Sequence, residues 1–324
     1  MKNIFFIAGP TAVGKSEIGA DVAQELDAEI VSADAFQIYR GLNLLTAKPS
    51  AETLAKAPHH LIGAVSILAE MNAEKFRQLA HRAIEKIHSR GKLAIVIGGS
   101  GLYIKALTHG LTSLPAIDPK LRAQLNELSL GKLRARILEL DPEAGQKIDM
   151  KNKRRLIRAM EICLTTGKRA SVQRSEWAVA ISPRDAGDGP AISGSPHPTG
   201  SAPAPEGVFV FRDREELYQR IDHRVDAMFK KGVIEEVGAA GTMSTTASQM
   251  IGLHEIGELL TGKMTISQCA AAIRQRTRQY AKRQLTWFRR QTNFQPLNLS
   301  LLTHHEAVKW ISQRLKGTRG CARE

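Results

Sequence analysis

Residues Gly9, Pro10, Thr11, Ala12, Val13, Gly14, Lys15 and Ser16 fit the pattern G-x-x-x-x-G-K-[ST], a loop whose backbone N–H groups turn inward around phosphate. The helix that opens behind such a loop adds its positive dipole end. Lys15 is placed to reach a terminal phosphate and the Ser16 hydroxyl to ligate Mg²⁺. The motif leaves the ligand open, with ATP or GTP as the default. A second group of interest is Asp34, which follows a short apolar run. A carboxylate there could accept a proton from an attacking nucleophile, hold Mg²⁺ through water, or be an ordinary turn residue. A nucleotidase of this class carries a metal-holding Asp at the end of a buried strand. The corresponding apolar run, Leu93 to Ile97, ends instead in Gly98-Gly99.

These residues need elements to position them. Ile4 to Ala8 reads as a buried parallel strand, and a helix runs from Lys15 towards Glu25. Glu29 to Ser32 reads as a second strand, which puts Asp34 at the carboxyl edge of a sheet, where open α/β folds bind ligands. Phe76, Leu79, Ala80, Ala83, Ile84 and Ile87 recur at helical spacing, so a helix is expected over 74–90, ended by Gly91. Leu93 to Ile97 is the third strand, followed by the loop Gly98-Gly99-Ser100-Gly101. Alternating strands and helices argue for a parallel sheet covered on both faces.

The pattern changes after Pro115. Residues 119–167 read as all-helical, with Asp141-Pro142-Glu143 as a helix start. Residues 182–207 are dominated by Gly, Pro, Ser and Ala, a composition that cannot bury a core. Glu206 to Phe211 returns to strand character, and helices are expected over 214–231 and 265–290. The fold class is therefore α/β, a P-loop parallel-sheet core with a helical insertion domain. The expected boundaries are 1–115 and 208–316 for the core, 116–180 for the insertion, 181–207 for a flexible loop and 317–324 for a tail.

The 324 residues carry a formal net charge of +14, which favours a polyanionic partner. The distribution sharpens this. Seven basic and no acidic residues lie between Arg274 and Arg290, and five of the eight residues Lys151 to Arg158 are basic. Such clusters point to nucleic acid. No apolar run is long enough for a transmembrane helix, and the start lacks a signal-peptide pattern. Cys163, Cys269 and Cys321 are too far apart for a disulfide framework or metal cage, so a reducing cytoplasm is the simple reading. His59-His60 has poor spacing for zinc and is expected in loop or core. Trp177, Trp287 and Trp310 are expected to pack.

Blocks spread over nearly the whole chain resemble the bacterial tRNA dimethylallyltransferase (tRNA isopentenyltransferase) family. They are residues 9–16, Ser32 to Gly41, Thr46 to Pro49, Pro58 to Ile62, Gly98 to Lys105, Asn152 to Arg158, Leu217 to Asp226 and Ala281 to Arg289. The resemblance implies transfer of a dimethylallyl group from dimethylallyl diphosphate to N6 of the adenosine 3′ to the anticodon in tRNA. It also implies diphosphate release, a Mg²⁺ requirement, a helical insertion that clasps the anticodon stem-loop, and a monomer.

In those roles Lys15, the loop amides, Mg²⁺ on Ser16, and Arg220 neutralise the leaving diphosphate. Thr11 bonds the same group, and Asp34 takes the proton from a flipped adenine. Ser100, where the family has Thr, lies near the base. Ala35, Phe36, Gln37 and Gln284, with Asp34 and Ser100, are expected to touch tRNA. Arg154, Arg155, Leu156, Ile157, Arg158, Lys282, Arg283 and Arg289 are expected to position it. The chain departs from the family's usual residues at Ala35, Leu44-Leu45, Gly63 and Leu253-His254, which bears on tRNA contacts more than on chemistry. A P-loop kinase using Asp34 as base and a non-catalytic RNA-binding protein are the alternatives.

Overall fold

The computed structural model describes residues 4–111, 118–172, 206–291 and 294–320. The chain divides into two compact units, one built from 1–110 and 198–324 and the other from 111–197. Pro115, Trp177, Cys321 and the greater part of the Gly/Pro-rich stretch lie outside the described residues.

The first unit is organised by six parallel strands. They are β1 (Ile4–Ala8), β2 (Glu29–Ser32), β3 (His59–His60), β4 (Ala94–Gly98), β5 (Glu206–Phe211) and β6 (Gln295–Asn298), in the order β3-β2-β4-β1-β5-β6. β1 is central, with Ala8 opposite Gly98 on one side and Phe209 on the other. Its alternation serves two faces. Phe5 and Ile7 enter a core cluster with Ile95, Ile97, Val208 and Val210, while Phe6 stacks on Phe294 on the opposite face.

Three strand ends converge at the carboxyl edge of the sheet. The P-loop leaves β1, Asp34 follows β2, and Gly99 and Ser100 follow β4. They are laced together by Gly9 N–H to Gly98 O at 3.2 Å, Ala33 N–H to Ile97 O at 2.7 Å and Ser100 N–H to Ala33 O at 3.3 Å.

The helices of this unit are α1 (Lys15–Glu25), α2 (Ala51–Ala55), α3 (Ala73–Ser89) and α4 (Gly101–Thr108) before the second unit. After it, if the second unit's helices are α5 to α8, come α9 (Arg214–Lys230), α10 (Val233–Gly238), α11 (Leu253–Leu260), α12 (Ile266–Gln291) and α13 (His304–Gly320). α9 buries Leu217, Ile221, Val225 and Met228 at helical spacing. α12 presents the buried stripe Ile273, Thr277, Ala281, Gln284 and Phe288. Arg278 and Asp222 pair at 2.5 Å, and Arg274 pairs with Asp226, tying α9 to α12 along their length.

The second unit is helical: α5 (Pro119–Glu127), α6 (Leu130–Leu140), α7 (Ala144–Lys147) and α8 (Lys153–Thr166). Its core holds Leu133, Ile137, Leu156, Ile157 and Met160.

Several sequence expectations are corrected. The helix expected at Asp141-Pro142-Glu143 begins at Ala144. Asp141 instead accepts the backbone N–H and hydroxyl of Ser171 at 2.7 and 2.6 Å, fully buried. Glu206 and Gly207, assigned to the flexible stretch, belong to β5, and the expected tail is helical as far as Gly320. β3 and β6 were missed because a two-residue strand and Gln-Pro-Leu-Asn carry almost no apolar alternation. Both are edges, where Pro296 costs no ladder bond in the sheet interior.

Candidate active site

The P-loop is bent by Ala12 at φ 63° and Gly14 at φ 97°. α1 then starts with no side-chain cap at Gly14, so its first N–H groups remain available to an anion. Lys15 Nζ donates to Pro10 O at 3.0 Å. Burial pulls the Lys15 ammonium down to about 8, with Arg224 pushing the same way and Asp34 and Glu17 opposing. An anion bound beside it would favour the charged form.

Four side chains remote in sequence fix the loop from outside. Arg224 Nη1 donates to Thr11 Oγ1 at 2.6 Å, Arg220 Nε to Ala12 O at 2.9 Å and Arg212 Nε to Val13 O at 2.9 Å. Arg220 and Arg224 stand one turn apart on α9, so both face the loop. Gln284 on α12 accepts Thr11 N–H at 2.9 Å through Oε1 and donates Nε2 to Gly99 O at 2.8 Å. Arg220 and Thr11 were expected here. Arg212 and Arg224 were not: Arg212 lies in the short connection between β5 and α9, and Arg224 lies within the block Leu217 to Asp226 without having been singled out.

Gly98 also explains the missing metal-holding Asp. A Cβ at this position would lie 2.2 Å from Ala33 O, so the end of β4 has no room for any side chain.

Asp34 uses Oδ1 to accept the N–H groups of Phe36 at 2.9 Å and Gln37 at 3.2 Å. Among the described residues no donor is bound to its Oδ2. Ser100 Oγ, buried, accepts Ala35 N–H at 2.9 Å. Burial, reinforced by the Asp34 charge, pushes the Tyr280 phenol up to about 12, with Ser100 and Gln284 opposing.

Two cavities meet at these residues. A cleft of about 520 Å³ runs along the P-loop and is lined by Lys15, Ser16, Arg220 and Arg224. A smaller cavity of about 60 Å³ lies between α9 and α12, lined by Leu45, Val225, Met228, Met250, Ile251 and Ile273. Thr11, Asp34, Thr46 and Arg224 belong to both. A phosphate-gripping cleft thus opens past one carboxylate into an apolar pocket.

For Mg²⁺ the cleft offers the Ser16 hydroxyl, with Asp34 and Glu17 among its lining residues. No cluster of three or more His, Cys, Asp or Glu able to hold a metal occurs among the described residues. That sparse donor set fits an ion that arrives on phosphate oxygens and keeps much of its water.

Of the residues expected to touch nucleic acid, Lys282, Arg283 and Arg289 are exposed on α12, and Arg154 and Arg155 are exposed at the start of α8. Leu156 and Ile157 are corrected: both are buried in the core of the second unit. Arg158 pairs with Glu161 at 3.1 Å. Gln284 is also corrected. It is buried, and the bonds to Thr11 and Gly99 occupy both ends of its amide, which leaves it as a brace for the loop. Gln37 donates to Ala47 O at 2.9 Å and holds the 46–47 turn at the cleft mouth.

His59 and His60 form β3. His60 Nε2 lies 2.7 Å from Glu29 Oε2, beside the Arg90–Glu29 pair, so its role is in an ion-pair cluster. Trp287 packs edge-on against Phe288. At the departures, the carboxylate of Glu236 accepts the N–H groups of Leu44 and Leu45, Gly63 takes φ 59°, and His254 lies near Glu258.

The family model described as IPP transferase matches residues 37–291. A tRNA dimethylallyltransferase of Akkermansia muciniphila is 40% identical over 286 residues, covering 88% of this chain and 90% of the relative. A tRNA dimethylallyltransferase of Geobacter sulfurreducens is 37% identical over 95% of this chain and 91% of its own. The crystal structure of the full-length tRNA isopentenylpyrophosphate transferase of Bacillus halodurans superposes with a TM-score of 0.67 at 30% identity, covering 98% of this chain and 96% of that one. A eukaryotic dimethylallyltransferase acting on tRNA superposes with a TM-score of 0.69 at 27% identity, over 89% of this chain and 70% of that one.

Proposed function

The chain belongs to the IPP transferase family and transfers a dimethylallyl group to tRNA, and we propose that the donor is dimethylallyl diphosphate and the acceptor N6 of the adenosine 3′ to the anticodon. The observation that carries this reading is the junction of the two cavities at Asp34. The diphosphate lies on the P-loop, the five-carbon chain enters the apolar pocket, and the carbon that joins them sits beside Asp34.

In the chemical step the adenine amino nitrogen forms a bond to the first allylic carbon. The bond from that carbon to the diphosphate oxygen breaks, and its electron pair leaves with diphosphate. The amino proton goes to Asp34, whose Oδ2 accepts no hydrogen bond from another described residue. Lys15, the first N–H groups of α1 and Arg220 neutralise the leaving group where its charge grows. The Ser16 hydroxyl would hold Mg²⁺, which would supply further positive charge to the leaving group. Arg224 and Gln284 act through the loop, holding Thr11 from two directions.

The adenine must leave its stack to reach this carbon, and an anticodon loop offers unstacked bases. Ala35, Phe36 and Ser100 line the approach to Asp34. Phosphates are met by Lys282, Arg283 and Arg289 on α12 and by Arg154 and Arg155 on the helical unit, read as an insertion over 116–180. No described helix is long and apolar enough to cross a membrane; a cytoplasmic location and a monomeric state are part of the proposal.

The test is to incubate the protein with Mg²⁺, unmodified tRNA and dimethylallyl diphosphate, digest the RNA and weigh its nucleosides. A prenylated adenosine is expected. Binding without product, or phosphorylation dependent on ATP, would refute the reading.

A further inference from the structure

The apolar cavity behind Asp34 has walls that bear on which donors the enzyme accepts. Its volume is about 60 Å³. A cavity of roughly 150 Å³ is needed to hold a six-carbon ring. At less than half that volume, the pocket fits the branched end of a five-carbon chain better than a chain twice as long. Val225 and Met228 come from α9, Ile273 from α12 and Met250 from the turn before α11, and all four are buried. Only Thr11, Asp34, Thr46 and Arg224 are shared with the phosphate cleft. Met228 lies one turn beyond Arg224 on α9, so it stands on the side of the cavity away from the diphosphate.

The walls cannot part easily. Arg278–Asp222 and Arg274–Asp226 pin α9 to α12 beside the cavity, and Gly252 at φ 102° brings the 250–252 turn close to Leu45 and Ile273. The adaptable part is methionine, which is unbranched and can yield to or fill irregular space. We propose that Met228 and Met250 form the gauge that limits the donor to a five-carbon allylic diphosphate. This rests on the prenyl-transfer reading of the same site.

The reacting atoms are the same for any allylic donor: the first carbon gains the adenine nitrogen and loses diphosphate, and Asp34 takes the proton. Chain length therefore changes the fit and not the chemistry. Discrimination by such a fit is at least of the order that one methylene supplies, about 10–200-fold.

The experiment compares kcat/KM for dimethylallyl diphosphate and the ten-carbon geranyl diphosphate, with tRNA and Mg²⁺. It uses the full chain and its Met228→Ala, Met250→Ala and Met228→Phe variants. Pyrophosphate binding and thermal melting show that each variant is folded. The unaltered protein is expected to favour the five-carbon donor by at least about a hundredfold. Each alanine variant is expected to raise the geranyl-to-dimethylallyl ratio by at least about tenfold, and Met228→Phe to lose dimethylallyl transfer while still binding pyrophosphate. An unchanged ratio in folded alanine variants overturns the gauge. So does equal use of both donors by the unaltered protein, which leaves prenyl transfer itself standing. Transfer of neither donor overturns the prenyl-transfer reading and the gauge with it.

Discussion

Lys15 makes diphosphate binding depend on pH in a range where few other groups titrate. Its ammonium sits at about 8 in the ligand-free protein because burial outweighs the attraction of Asp34 and Glu17. A bound diphosphate supplies the missing negative charge and favours the charged form, so binding draws a proton onto Lys15 as pH rises. The apparent dissociation constant scales as 1 + 10^(pH − pKa). That factor is about 1.1 at pH 7 and about 11 at pH 9 for a pKa near 8, a loss of about tenfold in affinity. The sign for folding is opposite. The unfolded chain holds this proton more firmly, so charged Lys15 opposes folding below about pH 8, and the cost is relieved between pH 8 and 10.5. The assay is calorimetric titration of pyrophosphate with Mg²⁺ into the protein and into Lys15→Met at pH 7, 8 and 9. Ionisation of the ligand affects both proteins equally, so the difference between their slopes belongs to Lys15. Equal slopes would show that Lys15 does not titrate against the diphosphate.

Three further outcomes follow from named contacts. Gln284→Ala leaves Thr11 N–H and Gly99 O without partners in a buried setting, at about 1–3 kcal/mol each. The donor kcat/KM should fall by at least about tenfold with tRNA affinity little changed, and a loss confined to tRNA binding would restore Gln284 to the RNA surface. Replacing Lys282, Arg283 and Arg289 together by Ala should flatten the dependence of log K on log salt by about two, from about 0.7 per phosphate contact, and an unaltered slope would remove α12 from the tRNA interface. Glu29, held at about 2 by Arg90 with His60 adding to it, contributes stability above pH 4.5 that is lost as pH falls towards 2. Melting curves should show Glu29→Gln less stable than the unaltered protein at pH 7, with the gap closing below pH 4.5.

The parts of the site that follow a strand directly were legible in the sequence. β1 with its P-loop and β2 with Asp34 combine a short apolar run with a distinctive turn, and their bounds at Ile4–Ala8 and Glu29–Ser32 match the expectation. The supports were less legible because they come from nearly 200 or more residues away. Arg212, in the connection after β5, and Arg224, inside α9, look like any charged residue until α9 is laid against the loop. Gln284 was read from the family resemblance as a tRNA contact, whereas a buried polar side chain needs partners and tertiary packing alone decides that these are Thr11 and Gly99. Nor could the apolar pocket be read from sequence, since its walls belong to four segments, Leu45, α9, the 250–251 turn and α12, that only tertiary packing brings together. Leu156 and Ile157 went wrong for the reverse reason: a basic segment was taken whole, although a helix turns two of its residues into its own core.

Asp34 carries the central claim, and single-turnover prenyl transfer by Asp34→Asn tests it most directly. The substitution removes the charge and the base while keeping the Oδ1 acceptor for Phe36 and Gln37 N–H. Rapid mixing of excess enzyme with labelled tRNA and dimethylallyl diphosphate, followed by nucleoside mass analysis, reads the chemical step alone. Loss of the base should slow that step by about 10²–10⁴-fold, with tRNA and pyrophosphate affinities close to those of the unaltered protein. Prenylated adenosine formed at the unaltered rate would contradict the account.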